Sequence, residues 1–171
     1  MSLWRFYKQV LFSLIGILTL SLLIGCHDLP PKLTRGQAAP EFTLDRLQNG
    51  TLRFPDDLQG KLVAIRFWAD WCPFCRTEMQ AIEPVYLKYQ GQDLIILAVN
   101  VRQSRATAAA FIRELNISYD VLLDLEGEVA RNYGVTGLPT TIIVDREGKL
   151  YTRILGESTP ELFEKIIQEL L

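Results

Sequence analysis

The stretch FWADWCPFCRTEMQ, residues 67 to 80, decides the fold. It holds two cysteines, Cys72 and Cys75, separated by Pro73 and Phe74. Upstream, KLVAIRFWA is a continuous apolar run, the pattern of a central strand covered on both faces. Downstream, Met79, Ile82, Val85, Tyr86 and Tyr89 fit one face of a helix, which predicts a helix from Pro73 to about Gln90 with a kink at Pro84. The cysteine pair therefore stands where a strand hands over to a helix. Pro73 suits the first helical position, because its missing N–H costs nothing there and its φ is already helical. A thiolate at a helix start meets the positive end of the dipole and free backbone N–H groups, which lower its pKa. Cys72 is thus the expected nucleophile. Cys75, one turn on, is placed to attack a mixed disulfide formed at Cys72 and release the reduced product.

Outward from this stretch the chain alternates between strand and helix patterns. EFTLDRLQNGTLRF predicts a hairpin about Asn49-Gly50, a dipeptide that accepts the positive φ angles of a tight turn. LIILAVNVR, YDVLLD, TTIIVD and LYTRIL read as strands, and ATAAAFIREL and GEVARNYGV as helices. TPELFEKIIQELL closes the chain as an amphipathic helix with a Thr cap and a Pro start. This order predicts an α/β layered domain with a mixed sheet. A chain of 171 residues that is 49% hydrophobic has material for one such core. Its 18 basic and 20 acidic residues are interspersed, which excludes a nucleic-acid footprint.

The N-terminus carries a different signal. Arg5 and Lys8 precede an apolar run from Val10 to Gly25, the layout of an export signal. Leu23-Ile24-Gly25-Cys26 resembles the bacterial lipobox, which implies cleavage before Cys26 and its lipidation. The alternative is an uncleaved membrane helix, although a run of 16 residues is slightly short of the roughly 20 that span a bilayer. Either way, the expected location is the membrane, with the domain on its extracytoplasmic face. The expected organisation is residues 1–25 as signal or anchor, 26–39 as lipidated cysteine and linker, and 40–171 as the domain. Loss of Arg5 and Lys8 would take the formal charge from −2 to −4, an ordinary solubilising value. With Cys26 lipidated, Cys72 and Cys75 are the remaining thiols, and an oxidising compartment makes a disulfide between them a natural state.

Taken together, FWADWCPFC, the proline-bearing helix after it, GLPTT late in the chain and the REGK hairpin with its terminal helix resemble the thioredoxin superfamily. The APEFTLD entry and the extra helix and strand between the two βα halves resemble its membrane-anchored TlpA/ResA-type thiol-disulfide oxidoreductases. The resemblance covers roughly residues 38 to 171. A lone C-x-x-C is a weak signal, but the same motif between an apolar strand and a helix, with Leu-Pro-Thr some 65 residues later, is specific. The resemblance implies a thioredoxin-like fold with an N-terminal hairpin and a central αβ insertion. It implies a redox-active disulfide Cys72–Cys75, a cis Pro139 beside it, and a Leu138 backbone that offers β-like hydrogen bonds to a bound polypeptide. Trp71 and Pro73 would line the substrate surface, while Phe67 and Trp68 belong to the core. Glu78 matches an acidic residue three positions after the second cysteine, implying a carboxylate that raises the Cys75 pKa and moves its proton.

Arg66 departs from the thioredoxin pattern, which has a buried acid there. An unpaired cation cannot point beneath the site, so either an Arg66–Glu78 pair or a solvent-reaching side chain is predicted. Rival chemistries lack their residues. Ala69 stands where a peroxiredoxin needs threonine, Arg76 follows Cys75 where haem attachment needs histidine, and the single His27 lies beside the anchor, away from any copper or zinc ligand set. A structural disulfide across so short a loop would contribute little stability. The function read from the sequence is reduction of protein disulfides, such as those of apocytochrome c cysteines. It needs no cofactor beyond the disulfide, a membrane electron donor resembling CcdA or DsbD, and a monomer. Oxidant, isomerase, peroxidase and non-catalytic binding module are the alternatives.

Overall fold

In a computed structural model the described residues are 33–171 together with Trp4. The expected export signal apart from Trp4, the lipidation site Cys26 and His27 lie outside them. Strand β3 (Leu62–Trp68) is buried at every position, as its unbroken apolar pattern requires. It lies between β4 (Leu94–Val101), which runs parallel to it, and β6 (Thr140–Val144), which runs antiparallel. With β1 (Phe42–Arg46), β2 (Thr51–Phe54), β5 (Asp120–Asp124) and β7 (Leu150–Leu155), these form a seven-stranded mixed sheet in the order β2-β1-β5-β4-β3-β6-β7. The thioredoxin-like α/β architecture predicted from the sequence is present.

Side chains alternate across the pleat of β3 and divide the core in two. Leu62, Ala64 and Trp68 face a cluster with Met79 and Ile82 of α1 (Cys75–Tyr89), Phe111 of α2 (Arg105–Arg113), and Phe163 and Ile167 of α4 (Pro160–Gln168). Val63, Ile65 and Phe67 face the other layer, with Phe42, Leu52 and Tyr133, and with Val129 of α3 (Glu128–Asn132). Ser104 and Thr159 cap α2 and α4, each accepting a backbone N–H through its side chain. Helix α2 and strand β5 form the additional unit between the two βα halves. Pro84 lies inside α1, which continues past it to Tyr89.

Two local expectations change. Asn49-Gly50 does not make a two-residue tight turn: β1 ends at Arg46, β2 starts at Thr51, and Gly50 alone takes a positive φ, of 84°. The predicted hairpin itself is present, since β1 pairs antiparallel with β2, but its connection is longer, with Arg46 N–H donating to Gly50 O at 2.9 Å and Leu47 N–H to Val121 O on β5 at 2.8 Å. The boundary expected at Pro40 also falls inside paired chain. Ala38 bridges Lys149, and Gly36 N–H donates to Leu150 O at 2.7 Å, so the segment before Pro40 covers the β7 edge. Among the described residues no helix is long and apolar enough to cross a membrane.

Two core tyrosines make the fold sensitive to alkali. Tyr119 Oη donates to Met79 O at 2.9 Å, and Tyr133 Oη donates to Pro40 O at 2.7 Å. Burial pushes both phenols up from their ordinary value, with Arg66 opposing the shift at Tyr119. A raised folded-state pKa means that the unfolded chain ionises first. Stability is therefore intact below about pH 10 and falls as pH rises above it, by about 1.4 kcal/mol per pH unit for each tyrosine. Urea unfolding between pH 8 and 11.5 should show this fall, and Tyr133→Phe should reduce its slope. An unchanged slope in that variant would remove Tyr133 from the account.

Candidate active site

Strand β3 ends at Trp68, and its antiparallel pairing with β6 sets Phe67 opposite Thr140. The chain leaving β3 and the chain entering β6 therefore meet at one end of the sheet. The exit holds Trp71, Cys72, Pro73 and Cys75; the entry holds Leu138 and Pro139, joined by a cis peptide bond. The exit loop is pinned. Asp70 N–H donates to Gln103 Oε1 at 2.9 Å, Asn100 Nδ2 donates to the same oxygen at 2.8 Å, and Cys72 N–H turns back to Ala69 O at 3.2 Å.

Cys72 and Cys75 form a disulfide with Cα atoms 5.4 Å apart. Both are buried, Cys75 completely and Cys72 to within 2%. Around this closed pair the surface is apolar and open, with Trp71 exposed to 69% and Phe74 to 55%. Pro73 does not open the helix as predicted. Helix α1 begins at Cys75 with Phe74 as its N-cap, because Cys75 N–H still donates to Cys72 O at 3.3 Å and the first full helical bond runs from Glu78 N–H to Phe74 O at 3.1 Å. Cys72 consequently stands just ahead of the helix. Leu138 is half-buried against the core, its side chain lines a groove with Trp71, and Gly156 N–H donates to Pro139 O at 2.9 Å. Among the described residues the Leu138 backbone N–H and C=O have no hydrogen-bond partner.

Beneath the pair lies a buried polar network. Arg66, on the α1 side of β3, meets Glu78 on the first turn of α1 with Nη2 and Oε2 2.7 Å apart; both side chains are excluded from solvent. This is the first of the two arrangements expected of Arg66. The other Glu78 oxygen, Oε1, accepts from Ser158 N–H at 2.8 Å and Ser158 Oγ at 2.7 Å. Oε1 is thus hydrogen-bonded, while Oε2 is held by the ion pair alone and has no hydrogen-bond partner among the described residues. The Arg66 guanidinium also sits 5.8 Å from the ring centroid of Phe163, while its Nε and Nη1 have no acceptor among the described residues. Sequence reading missed Ser158, although its place beside the Thr159 cap marks it as chain that turns back over α1. It also missed Asp124, a buried carboxylate whose Oδ2 accepts Ala130 N–H at 2.8 Å at the start of α3.

Ala69 is fully buried and brings no hydroxyl to the site, and among the described residues no group of three or more His, Cys, Asp or Glu is placed to hold a metal. The AhpC/TSA family matches residues 35–153. The ResA thiol-disulfide oxidoreductase of Geobacillus thermodenitrificans is 36% identical over 126 residues, 74% of this chain and 72% of that protein. The chain belongs to the AhpC/TSA family, among its ResA-type thioredoxin-like proteins. The ResA protein of Bacillus thuringiensis subsp. konkukian is 29% identical over 161 residues, covering 94% of this chain and 92% of that one. A solved structure from Chlorobium tepidum, described as a candidate thiol:disulfide interchange protein DsbE, superposes with a TM-score of 0.76 and 29% identity over 82% of this chain and all of that one. The activity of this ResA-type chain is thiol-disulfide exchange.

Proposed function

We propose that this protein reduces disulfides of partner proteins outside the cytoplasm, with the apocytochrome c cysteine pair as its substrate. The observation that carries the reading is the Cys72–Cys75 disulfide between the end of β3 and the start of α1, ringed by exposed Trp71 and Phe74. In the reduced protein the Cys72 thiolate attacks one sulfur of the substrate disulfide. A mixed disulfide forms and the first substrate thiolate leaves, taking a proton from solvent. The Cys75 thiol then loses its proton and attacks Cys72 Sγ. That step closes the Cys72–Cys75 disulfide and releases the second substrate thiolate. Two electrons pass to the substrate, and a membrane dithiol donor resembling CcdA or DsbD restores the pair.

Leu138 and Pro139 hold the substrate strand through the open backbone of Leu138, while Trp71 and Pro73 form its apolar floor. Glu78 acts on Cys75 as a carboxylate held in place, its Oε2 ion-paired with Arg66 and its Oε1 hydrogen-bonded by Ser158. The protein acts as a monomer, with no cofactor beyond its own disulfide. Lipidation at Cys26 holds it to the membrane, a reading supported by the sequence Leu23-Ile24-Gly25-Cys26.

The test is the reduction potential of the Cys72–Cys75 couple, measured by equilibration in dithiothreitol and glutathione buffers. A value near that of thioredoxin, roughly −270 mV, is the expected result. A value near that of DsbA, roughly −120 mV, would reverse the direction of electron flow and make the protein an oxidant.

A further inference from the structure

Beside the disulfide runs a groove of about 390 Å³, lined by Trp71, Val101, Ala130 and the Val135–Leu138 loop, with Arg102 and Arg131 at its wall. Its volume is in the range of ligand sites. The two arginines are gathered on one atom: Arg102 Nε donates to Glu126 O at 3.3 Å and Arg131 Nη1 donates to the same oxygen at 2.8 Å. Like charges held this close repel unless an anion joins them. Among the described residues no carboxylate stands within ion-pair distance of either, as is also true of Arg35, Arg113, Arg146 and Arg153, but only Arg102 and Arg131 share a single acceptor beside the disulfide. The arrangement is also built into the backbone. Arg102 takes a left-handed φ of 57°, and opposite it Gly127 leaves room that any Cβ would fill, at 2.5 Å from Arg102 Nε.

We propose that this groove selects substrates by an acidic side chain close to their reacting cysteine, its carboxylate bridging Arg102 and Arg131 while a neighbouring residue packs on Trp71. The inference rests on the exchange reading of Cys72. Trp71 precedes Cys72 directly, so a polypeptide whose sulfur reaches Cys72 must lay its flanking residues along this wall. Charge complementarity then fixes the occupant as an extended acidic segment of the partner protein. No atom of the exchange reaction changes; the groove alters how long the substrate disulfide is held in reach.

The probe is a set of ten-residue peptides, each with one cysteine, oxidised to symmetrical disulfides. They carry Glu or Gln two, three or four positions from the cysteine. Their reduction by the full-length, prereduced protein in detergent is followed at low and high salt. At least one Glu peptide should react about tenfold faster than its Gln counterpart at low salt, and the ratio should shrink in ~0.5 M salt. The Glu/Gln ratio is taken within each protein, so a general loss of activity cancels. It should fall to near one in Arg102→Gln/Arg131→Gln, and Arg131→Glu should shift preference to peptides with Lys at that position. Efficient reduction with a ratio near one in the unaltered protein, or a ratio that survives the double substitution, overturns the groove's role. Failure to reduce any peptide overturns the exchange reading and the inference with it.

Discussion

A Cys72→Ser variant is expected to lose peptide-disulfide reduction by at least about a thousandfold, since a hydroxyl at neutral pH is a far weaker nucleophile than a thiolate and no second thiol can take its place. Cys75 is a poor substitute, being fully buried at the first position of α1, where Cys72 keeps a trace of exposure between exposed Trp71 and Pro73. Cys75→Ser should behave differently. Its Cys72 can still attack a substrate disulfide, but nothing follows to resolve the product, so a mixed disulfide should accumulate to near one per protein. Non-reducing electrophoresis and mass spectrometry after mixing with a peptide disulfide read both outcomes. The order of attack is the reverse of that proposed if Cys72→Ser accumulates the adduct and Cys75→Ser does not. A cell that functions normally on Cys72→Ser would point instead to a non-catalytic binding module. The asymmetry follows position in the chain, because exposed Trp71 and Pro73 flank Cys72 ahead of the helix while Cys75 is the first residue of α1 and fully buried.

Most of the scaffold was legible because its signals are local. The apolar run of β3, the spacing of Met79, Ile82 and Val85, and the Thr159 cap each depend on side chains within a few positions. The cysteine pair between strand and helix, together with Leu138-Pro139, was legible as a constellation, and pairing of β3 with β6 explains why residues so far apart in sequence share one end of the sheet. What escaped reading depends on contacts across the fold. Asn49-Gly50 marked the hairpin correctly, but not the length of its connection, in which Leu47 bonds to β5. Pro73 suits a helix start, yet the turn that closes the disulfide delays α1 to Cys75. The paired arginines on Glu126 O have no sequence pattern, and Ser158 has only its place beside the Thr159 cap, since each partner is a backbone atom or a residue from a distant element. Arg66 lies between these cases. Its strand position forbade an unpaired charge and Glu78 was the available acid, so pairing could be anticipated, but the third member could not.

Arg66→Met is expected to cost about 3–5 kcal/mol of stability, because it leaves the Glu78 carboxylate buried without its counter-charge while keeping the length of the aliphatic stem. Ser158 alone remains, with two hydrogen bonds to Oε1 and none to Oε2. At a urea slope of about 2 kcal/mol per molar, the midpoint should fall by about 2 M. Glu78→Gln should be comparably harmful from the other side, since Arg66 already has two nitrogens without acceptors among the described residues and would lose the carboxylate it meets. The double variant Arg66→Met/Glu78→Gln removes both charges together. It should recover more than half of the single losses, the non-additivity that marks a directly coupled pair. Its redox behaviour separates structure from chemistry. If Glu78 acts as a fixed charge balanced by Arg66, the double variant should keep a pH profile for substrate reduction close to that of the unaltered protein. If Glu78 instead carries the Cys75 proton, the double variant should shift that profile even with stability restored. An Arg66→Met protein as stable as the original would mean that the buried pair repays no more than its own desolvation. Arg66 would then persist at the base of the site for its effect on the Cys75 thiol and not for the fold.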